Sequence, residues 1–395
     1  MQEHYIDTPE QLTQFCDSVR HSQWLALDTE FIREKTYYPK LCLLQVCNGE
    51  IAACIDPLKL DNLDLLIEIF MNPSIVKIFH AGSQDLEIFG FLWQKLPAPL
   101  FDTQLAATLL GLGEQLGYAN LVQKLLGVEL DKGHTRTNWS RRPLQEGQLR
   151  YALDDVIYLG EIYVDLNAKL KTMGRENWLQ EEFELLANPA TYEIDPDNTW
   201  QKVKGRQRLK GVQLAVLQSL AAWRENLAIE ADRPRRWILK DEILVDLARR
   251  MPKSVGDLSR IRGLDQSTLK RHSERLLNLV EKSRKLPKAS WPQQKQPPAR
   301  LDSNQEAVTD LLMCSLRLLA EKSQVSPAVL ANRSTLEQLV AGERDSELLR
   351  GWRRMLAGES LIKVLEGRVM PRLVDGRLAL SEVPIESPTH GNHPE

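Results

Sequence analysis

The sequence has few of the features that mark secreted, disulfide-linked or membrane proteins. Its 395 residues include five cysteines, an odd number without C-x-x-C spacing, so neither a disulfide framework nor a zinc site is expected. The longest apolar runs, such as 51–55, are far shorter than the ~20 residues that span a bilayer. No basic segment followed by an apolar one begins the chain, which argues against a signal peptide. We therefore expect a protein of the reducing cytoplasm without a membrane segment.

Negative and positive charges are concentrated in different parts of the chain, although the net charge is only −3. Residues 1–200 carry a net charge of −14, residues 201–300 carry +14 and residues 301–395 carry −3. The basic block predicts an anionic partner. Aromatic residues make up only 6% of the chain, and we expect few of them to lie between the basic positions of this block. The block should therefore contact nucleic-acid phosphates without base-specific readout. The candidate phosphate contacts are Arg206, Arg208, Lys210, Arg233, Arg235, Arg236, Arg249, Arg250, Lys270 and Arg271, and we expect about half of them to be ordinary surface charges.

Hydrophobic periodicity predicts strands early in the chain and helices later. Three strand segments with a hairpin turn at Asn48-Gly49 precede alternating helices and strands, an order that is typical of a mixed β-sheet flanked by helices. Two helical blocks of similar length follow and suggest a divergent repeat. We divide the chain into an α/β domain, a first helical domain, a Pro/Gln-rich linker, a second helical domain and a polar tail: 1–200, 208–288, 289–301, 302–375 and 376–395.

Two carboxylates, Asp28 and Glu30, follow the apolar strand segment Leu25-Ala26-Leu27. Alternate residues of a strand share a face, so the two anions converge and would repel by about 4 kcal/mol at 4 Å in an effective dielectric near 20. The basic residues nearest in sequence, Arg33 and Lys35, lie beyond the strand. A divalent cation would offset this repulsion. The alternative is that Asp28 caps the following loop and Glu30 points to water.

Two further segments carry acidic residues at positions suited to the same site. Asp85 lies in the first turn of a helix that follows a predicted strand, where it could simply complement the helix dipole. Tyr151 and Asp155 are four residues apart in a long helix and therefore share a face, whereas Asp154 points elsewhere. The alternative for Tyr151 is a half-buried aromatic with its hydroxyl at the surface. We leave His80 unassigned, because a histidine that ends a core strand is more often structural.

These segments together resemble the tyrosine-containing branch of the DEDD exonuclease superfamily, and within it the ribonuclease D family. The matching motifs cover about residues 1–170: Asp28-Thr29-Glu30, His80-Ala81-Gly82-Ser83-Gln84-Asp85, Phe101-Asp102-Thr103-Gln104, Trp139-Ser140-Arg141-Arg142-Pro143-Leu144 and Tyr151-Ala152-Leu153-Asp154-Asp155. The resemblance implies a ribonuclease H-like fold. It also implies that Asp28, Glu30, Asp85 and Asp155 bind two divalent metal ions, Mg²⁺ or Mn²⁺, and that Tyr151 positions the attacking water.

The first helical domain resembles an HRDC domain in the stretches Leu220-Ala221-Ala222-Trp223-Arg224-Glu225, Ile238-Leu239-Lys240-Asp241 and Gly256-Asp257-Leu258-Ser259-Arg260-Ile261-Arg262-Gly263-Leu264. The second helical domain could be a degenerate copy of it. The resemblance as a whole implies a monomeric 3′→5′ exoribonuclease that releases nucleoside 5′-monophosphates from RNA with a free 3′ end. Its expected substrates are structured precursors such as transfer RNA precursors. Arg141 and Arg142 are equally consistent with phosphate contacts and with a solvated loop. Two alternatives remain: a non-catalytic RNA-binding scaffold with a relic nuclease domain, and a proofreading-type DNA exonuclease.

Overall fold

An α/β domain opens the chain, and the computed structural model describes residues 1–131, 133–134, 137–294 and 300–383. Its first helix begins at Pro9, because Thr8 and Gln11 form a capping box around this residue. The strands are β1 (Gln2–Ile6), β2 (Trp24–Ile32), β3 (Lys40–Cys47), β4 (Ile51–Ile55), β5 (Val76–Phe79) and β6 (Leu100–Asp102). The helices are α1 (Pro9–Val19), α2 (Asp64–Phe70), α3 (Ser83–Trp93), α4 (Thr103–Leu109), α5 (Tyr118–Leu126), α6 (Glu146–Thr172) and α7 (Gln180–Leu186).

The six strands form one mixed sheet in the order β1-β4-β3-β2-β5-β6. The three strands β2, β3 and β4 are antiparallel neighbours, and the predicted turn at Asn48-Gly49 joins the last two. The outer strands pair in parallel, β1 with β4 and β5 with β2 and β6. The predicted mixed sheet is confirmed, with β6 as an additional strand. β2 therefore lies inside the sheet and is held on both sides.

Helices cover both faces of the sheet and create two apolar cores. Residues of α1, α2 and α3 pack on one face with Leu25 and Leu27 of β2. The long helix α6 packs on the other face against Ala26 of β2 and Leu43 and Cys47 of β3. Since side chains alternate along a strand, Asp28 and Glu30 lie on the α6 face.

The first helical domain follows a run of short 3₁₀ helices. Trp200 and Val203 already belong to its core, so the packing of this domain begins before residue 208, where the sequence analysis placed its start. The α-helices are α8 (Val212–Glu230), α9 (Arg235–Ile238), α10 (Asp241–Arg250), α11 (Val255–Ser259) and α12 (Gln266–Arg284). The 3₁₀ helices of the chain are Pro189–Thr191, Pro196–Lys202, Arg206–Arg208, Lys288–Ser290 and Glu347–Leu349.

The second helical domain ends in a β-hairpin that the sequence analysis did not predict. Its helices are α13 (Ser303–Lys322), α14 (Pro327–Leu330), α15 (Arg333–Val340), α16 (Gly351–Arg353) and α17 (Glu359–Leu365), with a π-helical turn at Arg354–Gly358. The antiparallel strands β7 (Val369–Val374) and β8 (Arg377–Glu382) follow. The expectation of an all-α domain and of a tail from residue 376 is thus corrected, because 377–382 pair with the preceding strand. Parts of the predicted linker, 295–299, and of the tail, 384–395, lie outside the described residues.

Both helical domains contact the α/β domain through polar and aromatic side chains. Trp178 stacks on Trp352 of the second helical domain, with ring centroids 5.8 Å apart. The backbone N–H of Tyr37 donates to Asp232 of the first helical domain at 3.0 Å, and the Tyr37 hydroxyl donates to buried Glu225. Across the described residues, the helices are too short or too polar to cross a membrane.

Candidate active site

The strand β2 and the helix α6 bring three of the predicted carboxylates together. Asp28, Glu30 and Asp155 each offer one carboxylate oxygen, and these three atoms lie within 4.8 Å of one another. Ligands of one Mg²⁺ or Ca²⁺ ion can be about 4–5 Å apart, since they lie 2.0–2.6 Å from the metal. The three acids are therefore close enough to share one cation, and their role as metal ligands stays a prediction.

Asp85 lies beside this cluster but outside the group of three. It is in the first turn of α3, is 8% exposed and accepts a hydrogen bond from the Thr29 hydroxyl. Thr29 is the residue between Asp28 and Glu30, on the opposite face of the strand. The predicted convergence of four carboxylates is thus seen for three, with Asp85 bonded to the strand that carries two of them. Its role as a metal ligand stays a prediction.

Burial raises the pKa of every acid in the cluster, and the charges of neighbouring carboxylates add to it. Burial is the largest cause at Glu30, where the charges of Asp155 and Asp85 add to it and raise the pKa to about 9. Burial also raises the pKa of Asp28, together with the charges of Asp85, Asp155 and Glu30. The pKa of Asp155 rises to about 7 through burial and the charge of Asp154. A divalent cation would offset this excess of negative charge, and an all-oxygen donor set fits hard ions such as Mg²⁺ or Mn²⁺.

The cluster opens into a cavity of about 420 Å³ that also contains Tyr151. The Tyr151 ring packs against Trp139, with ring centroids 6.1 Å apart and an interplanar angle of 33°. Trp139 is buried. The cavity is lined by Asp28, Glu30, His80, Gly117, Tyr118, Ala119, Asn120, Leu130, Asp131, Tyr151, Asp155 and Leu159. The arrangement places a phenol, three carboxylates and an open space in one site.

His80 has a structural role at the edge of this cavity. Its Nε2 donates to the carbonyl oxygen of Leu116 at 2.9 Å, and its Nδ1 lies 3.0 Å from the Thr103 hydroxyl oxygen. Burial is the main reason that the pKa of His80 falls below its usual value. Both ring nitrogens are thus engaged in joining the end of β5 to α4 and to the segment before α5.

Tyr118 lines the cavity although the sequence analysis missed it. Its hydroxyl donates to the backbone carbonyl of Asp154 at 2.8 Å, and its ring lies 5.5 Å from that of His80. The hydrogen bond fixes the start of α5 to the turn of α6 that carries Asp155. No motif spacing marks this residue, because it reaches the site from a separate helix.

Arg142 forms structural bonds, whereas the sequence analysis had left a phosphate contact and a solvated loop equally open for it. Its guanidinium binds both carboxylate oxygens of Asp56 at 2.5 and 2.7 Å and donates to the carbonyl of Cys42 at 2.6 Å. Burial alone would raise the pKa of Asp56, but the bonds from Arg142 and Tyr5 outweigh it and hold that pKa below its usual value. Arg141, in contrast, is exposed.

Comparison with known proteins assigns a class to this fold and site. Residues 3–171 match the family model of the 3′-5′ exonuclease domain, and residues 213–280 match that of the HRDC domain. The first of these spans contains β2, α3 and α6 with all five predicted site residues. The α/β domain is therefore a 3′-5′ exonuclease domain with a ribonuclease H-like mixed sheet.

Relatives of similar length define the family more closely. The chain is 41% identical to ribonuclease D of Sphingobium indicum over 94% of this chain and 96% of that protein. It is 39% identical to ribonuclease D of Zymomonas mobilis over 94% of this chain and 96% of that protein. The crystal structure of Escherichia coli RNase D, described as an exoribonuclease involved in structured RNA processing, matches with a TM-score of 0.81 and 35% identity over 93% of this chain and 99% of that one. The chain belongs to the ribonuclease D family.

Proposed function

We propose that this protein is a metal-dependent 3′→5′ exoribonuclease that releases nucleoside 5′-monophosphates from RNA with a free 3′ end. The observation that carries the proposal is the cluster of Asp28, Glu30 and Asp155 in a cavity that also contains Tyr151. We assign Asp85 to the same site as a fourth ligand, since its charge raises the pKa of both Asp28 and Glu30.

The four carboxylates would hold two divalent ions, Mg²⁺ or Mn²⁺. Such a pair would supply an activated water and would stabilise charge on the leaving 3′-oxygen. The protein side chains would position the ions and the attacking water. Asp28, the central member of the cluster, fixes the ligand geometry from a strand held on both sides. Tyr151 would orient the attacking water by its hydroxyl.

The first helical domain offers a surface that suits an RNA strand. Arg233, Arg236 and Lys240 are exposed on one short stretch of chain. Trp237 lies among them with 61% of its surface exposed, so an aromatic ring interrupts the basic positions after all. Exposed rings between cations stack on bases of any sequence, which suits an enzyme that removes successive nucleotides. Asp232 bonds this stretch to the loop after β2, the strand that carries Asp28.

The second helical domain is best interpreted as a divergent HRDC-like copy. A 20-residue helix, a four-residue helix and an eight-residue helix follow one another in α13, α14 and α15. The first helical domain has the same order, with 19, four and ten residues in α8, α9 and α10. Transfer RNA precursors as substrates, a monomeric state and a cytoplasmic location stay part of this proposal. The five free cysteines, four of them buried, support a reducing compartment.

The decisive experiment follows a 5′-labelled RNA and a matched DNA over time with Mg²⁺ or Mn²⁺. We expect a ladder that shortens one nucleotide at a time on the RNA and stops when a chelator is added. Asp28→Asn should abolish hydrolysis while RNA binding persists. Full activity in Asp28→Asn would contradict the site, and a preference for DNA would favour a proofreading-type exonuclease. Binding without any metal-dependent cleavage by the natural chain would favour a scaffold.

A further inference from the structure

The side chain of Gln45 is the polar group in the α/β core that the site description leaves unexplained. It is completely buried, and neither its Nε2 nor its Oε1 has a hydrogen-bond partner among the described residues. A buried amide without partners lowers the stability of a fold, so such groups are rare and point to a function. A leucine or methionine would fill the same space without this cost.

The register of the sheet places Gln45 directly beside Asp28. The two residues are cross-strand partners in the antiparallel pair of β2 and β3. Partners in such a pair point to the same face, with Cβ atoms about 4.5–5.5 Å apart. This is the face on which α6 packs and on which Glu30 and Asp155 meet Asp28. Gln45 therefore lies directly behind the candidate metal site.

The other neighbours of Gln45 on this face are apolar or sulfur-containing. Leu43 and Cys47 flank it along β3, and Cys54 is its partner on β4. None of these three side chains offers an oxygen acceptor to an amide. Among the paired positions around Gln45, the carboxylate of Asp28 is the acceptor of the right chemistry.

We propose that Gln45 is a positioning residue for the metal site, an inference that rests on the proposed function. The amide has no hydrogen-bond partner in the part of the chain that the structure describes, and with a cation bound at the site its N–H would donate to the Asp28 carboxylate oxygen that does not bind the ion. This bond fixes the rotamer of Asp28 and leaves its other oxygen free for the metal. Groups that orient a metal ligand in this way typically contribute 10–100-fold to metal affinity or activity.

The test compares Gln45→Met with the full chain of natural sequence and with a control, Leu43→Met, from the same face of β3. Mn²⁺ binding is measured calorimetrically without RNA, and kcat and KM are measured on a labelled RNA. For Gln45→Met we expect Mn²⁺ affinity to fall at least about 10-fold and kcat to fall with it, while KM for RNA stays unchanged. Its metal-free melting temperature should be no lower than that of the natural chain, because an unpartnered amide has been removed. The control should keep its Mn²⁺ affinity.

Natural Mn²⁺ affinity in Gln45→Met would overturn this inference and leave the proposed function intact. Absence of Mn²⁺ binding by the natural chain would overturn both. If Gln45→Met does not fold, as its metal-free melting curve would show, Gln45→Leu provides the same comparison. A variant that binds Mn²⁺ normally but turns over slowly would also overturn it, since the proposed bond acts on the ligand Asp28.

Discussion

Neighbouring acids of one helix have different environments in this protein. The Asp154 side chain is partly exposed and pairs with Arg150 at 2.5 Å, whereas Asp155 points into the cavity beside Asp28 and Glu30. One helical step of about 100° separates the two directions. The pair therefore offers a matched comparison of the same chemical change inside and outside the site.

Asp155→Asn should lower the rate of RNA hydrolysis at least about 1000-fold, since a carboxylate that binds an ion in the transition state contributes several kcal/mol. Asp154→Asn should stay within about threefold of the natural rate, because surface substitutions away from the site have small effects. Single-turnover assays with saturating Mn²⁺ provide the measurement. Equal losses in the two variants would contradict the assignment of Asp155.

The raised pKa values of the cluster also predict how stability depends on pH. For Glu30, whose pKa is about 9 in the folded chain against 4.5 as its ordinary value, the folded state binds more protons than the unfolded state between these limits. Its contribution to stability is therefore present below about pH 4.5 and is lost as the pH rises towards 9.

We expect the melting temperature of the metal-free protein to fall as the pH rises from about 4.5 to about 9. Added Mn²⁺ should raise the melting temperature more at high pH than at low pH. Melting curves with chelator and with Mn²⁺ at several pH values would show this. The restoration should be small in Asp28→Asn. A stabilisation by Mn²⁺ that is independent of pH would argue against binding at these acids.

At the scale of elements, the end of β4 and the loop before α6 are joined by Asp56 and Arg142. The Asp56 side chain is fully buried and also accepts a hydrogen bond from the Tyr5 hydroxyl at 2.5 Å. Arg142 reaches it from a loop that leads into α6, the helix that carries Tyr151 and Asp155. The position of that helix over the sheet therefore depends on a buried ion pair.

Arg142→Met should lower the free energy of unfolding by about 3–5 kcal/mol, because it leaves the buried Asp56 carboxylate without its cation. Urea unfolding of metal-free protein is the measurement. Arg141→Met, a substitution at the exposed neighbouring position, should change stability by no more than about 0.5 kcal/mol. Comparable stability of the two variants would mean that the ion pair is not needed to hold α6.

At the scale of the whole molecule, the acidic and the basic charges lie in different domains. The catalytic α/β domain is acidic, whereas residues 201–300 of the first helical domain and its flanks carry a net charge of +14. Of the candidate phosphate contacts, Arg235 is engaged with Glu225 and Arg249 with Asp246, which leaves Arg233 and Arg236 among the more accessible ones. The helical domain is thus suited to attract the RNA that the catalytic domain cleaves.

The double substitution Arg233→Gln and Arg236→Gln should weaken RNA binding and reduce the slope of log K against log salt by up to about 2, since each phosphate contact contributes about 0.7–0.9. Fluorescence anisotropy at several salt concentrations provides the slope. The control carries the same change of charge at exposed positions of the second helical domain, Arg317→Gln and Lys322→Gln. Equal slopes in both double variants would contradict a local RNA contact.

Much of the fold was predictable because its signals are short-range. The capping box of Thr8 and Gln11, the turn at Asn48-Gly49 and the spacing of Tyr151 and Asp155 depend on residues a few positions apart. Strand alternation likewise placed Asp28 and Glu30 on one face. The hairpin of β7 and β8 was missed because its side chains are largely exposed and carry little periodicity.

The sequence by itself determined most of the elements of the α/β domain, the acidic motifs and the family that those motifs resemble. Only the tertiary structure decided which acids share a cavity, that Asp85 accepts a hydrogen bond from Thr29, and that Arg142 forms an ion pair with Asp56. It also decided that Gln45 lies buried beside Asp28. The reason is physical: local propensity acts within a few residues, whereas these contacts depend on sheet register and on helix docking between distant segments.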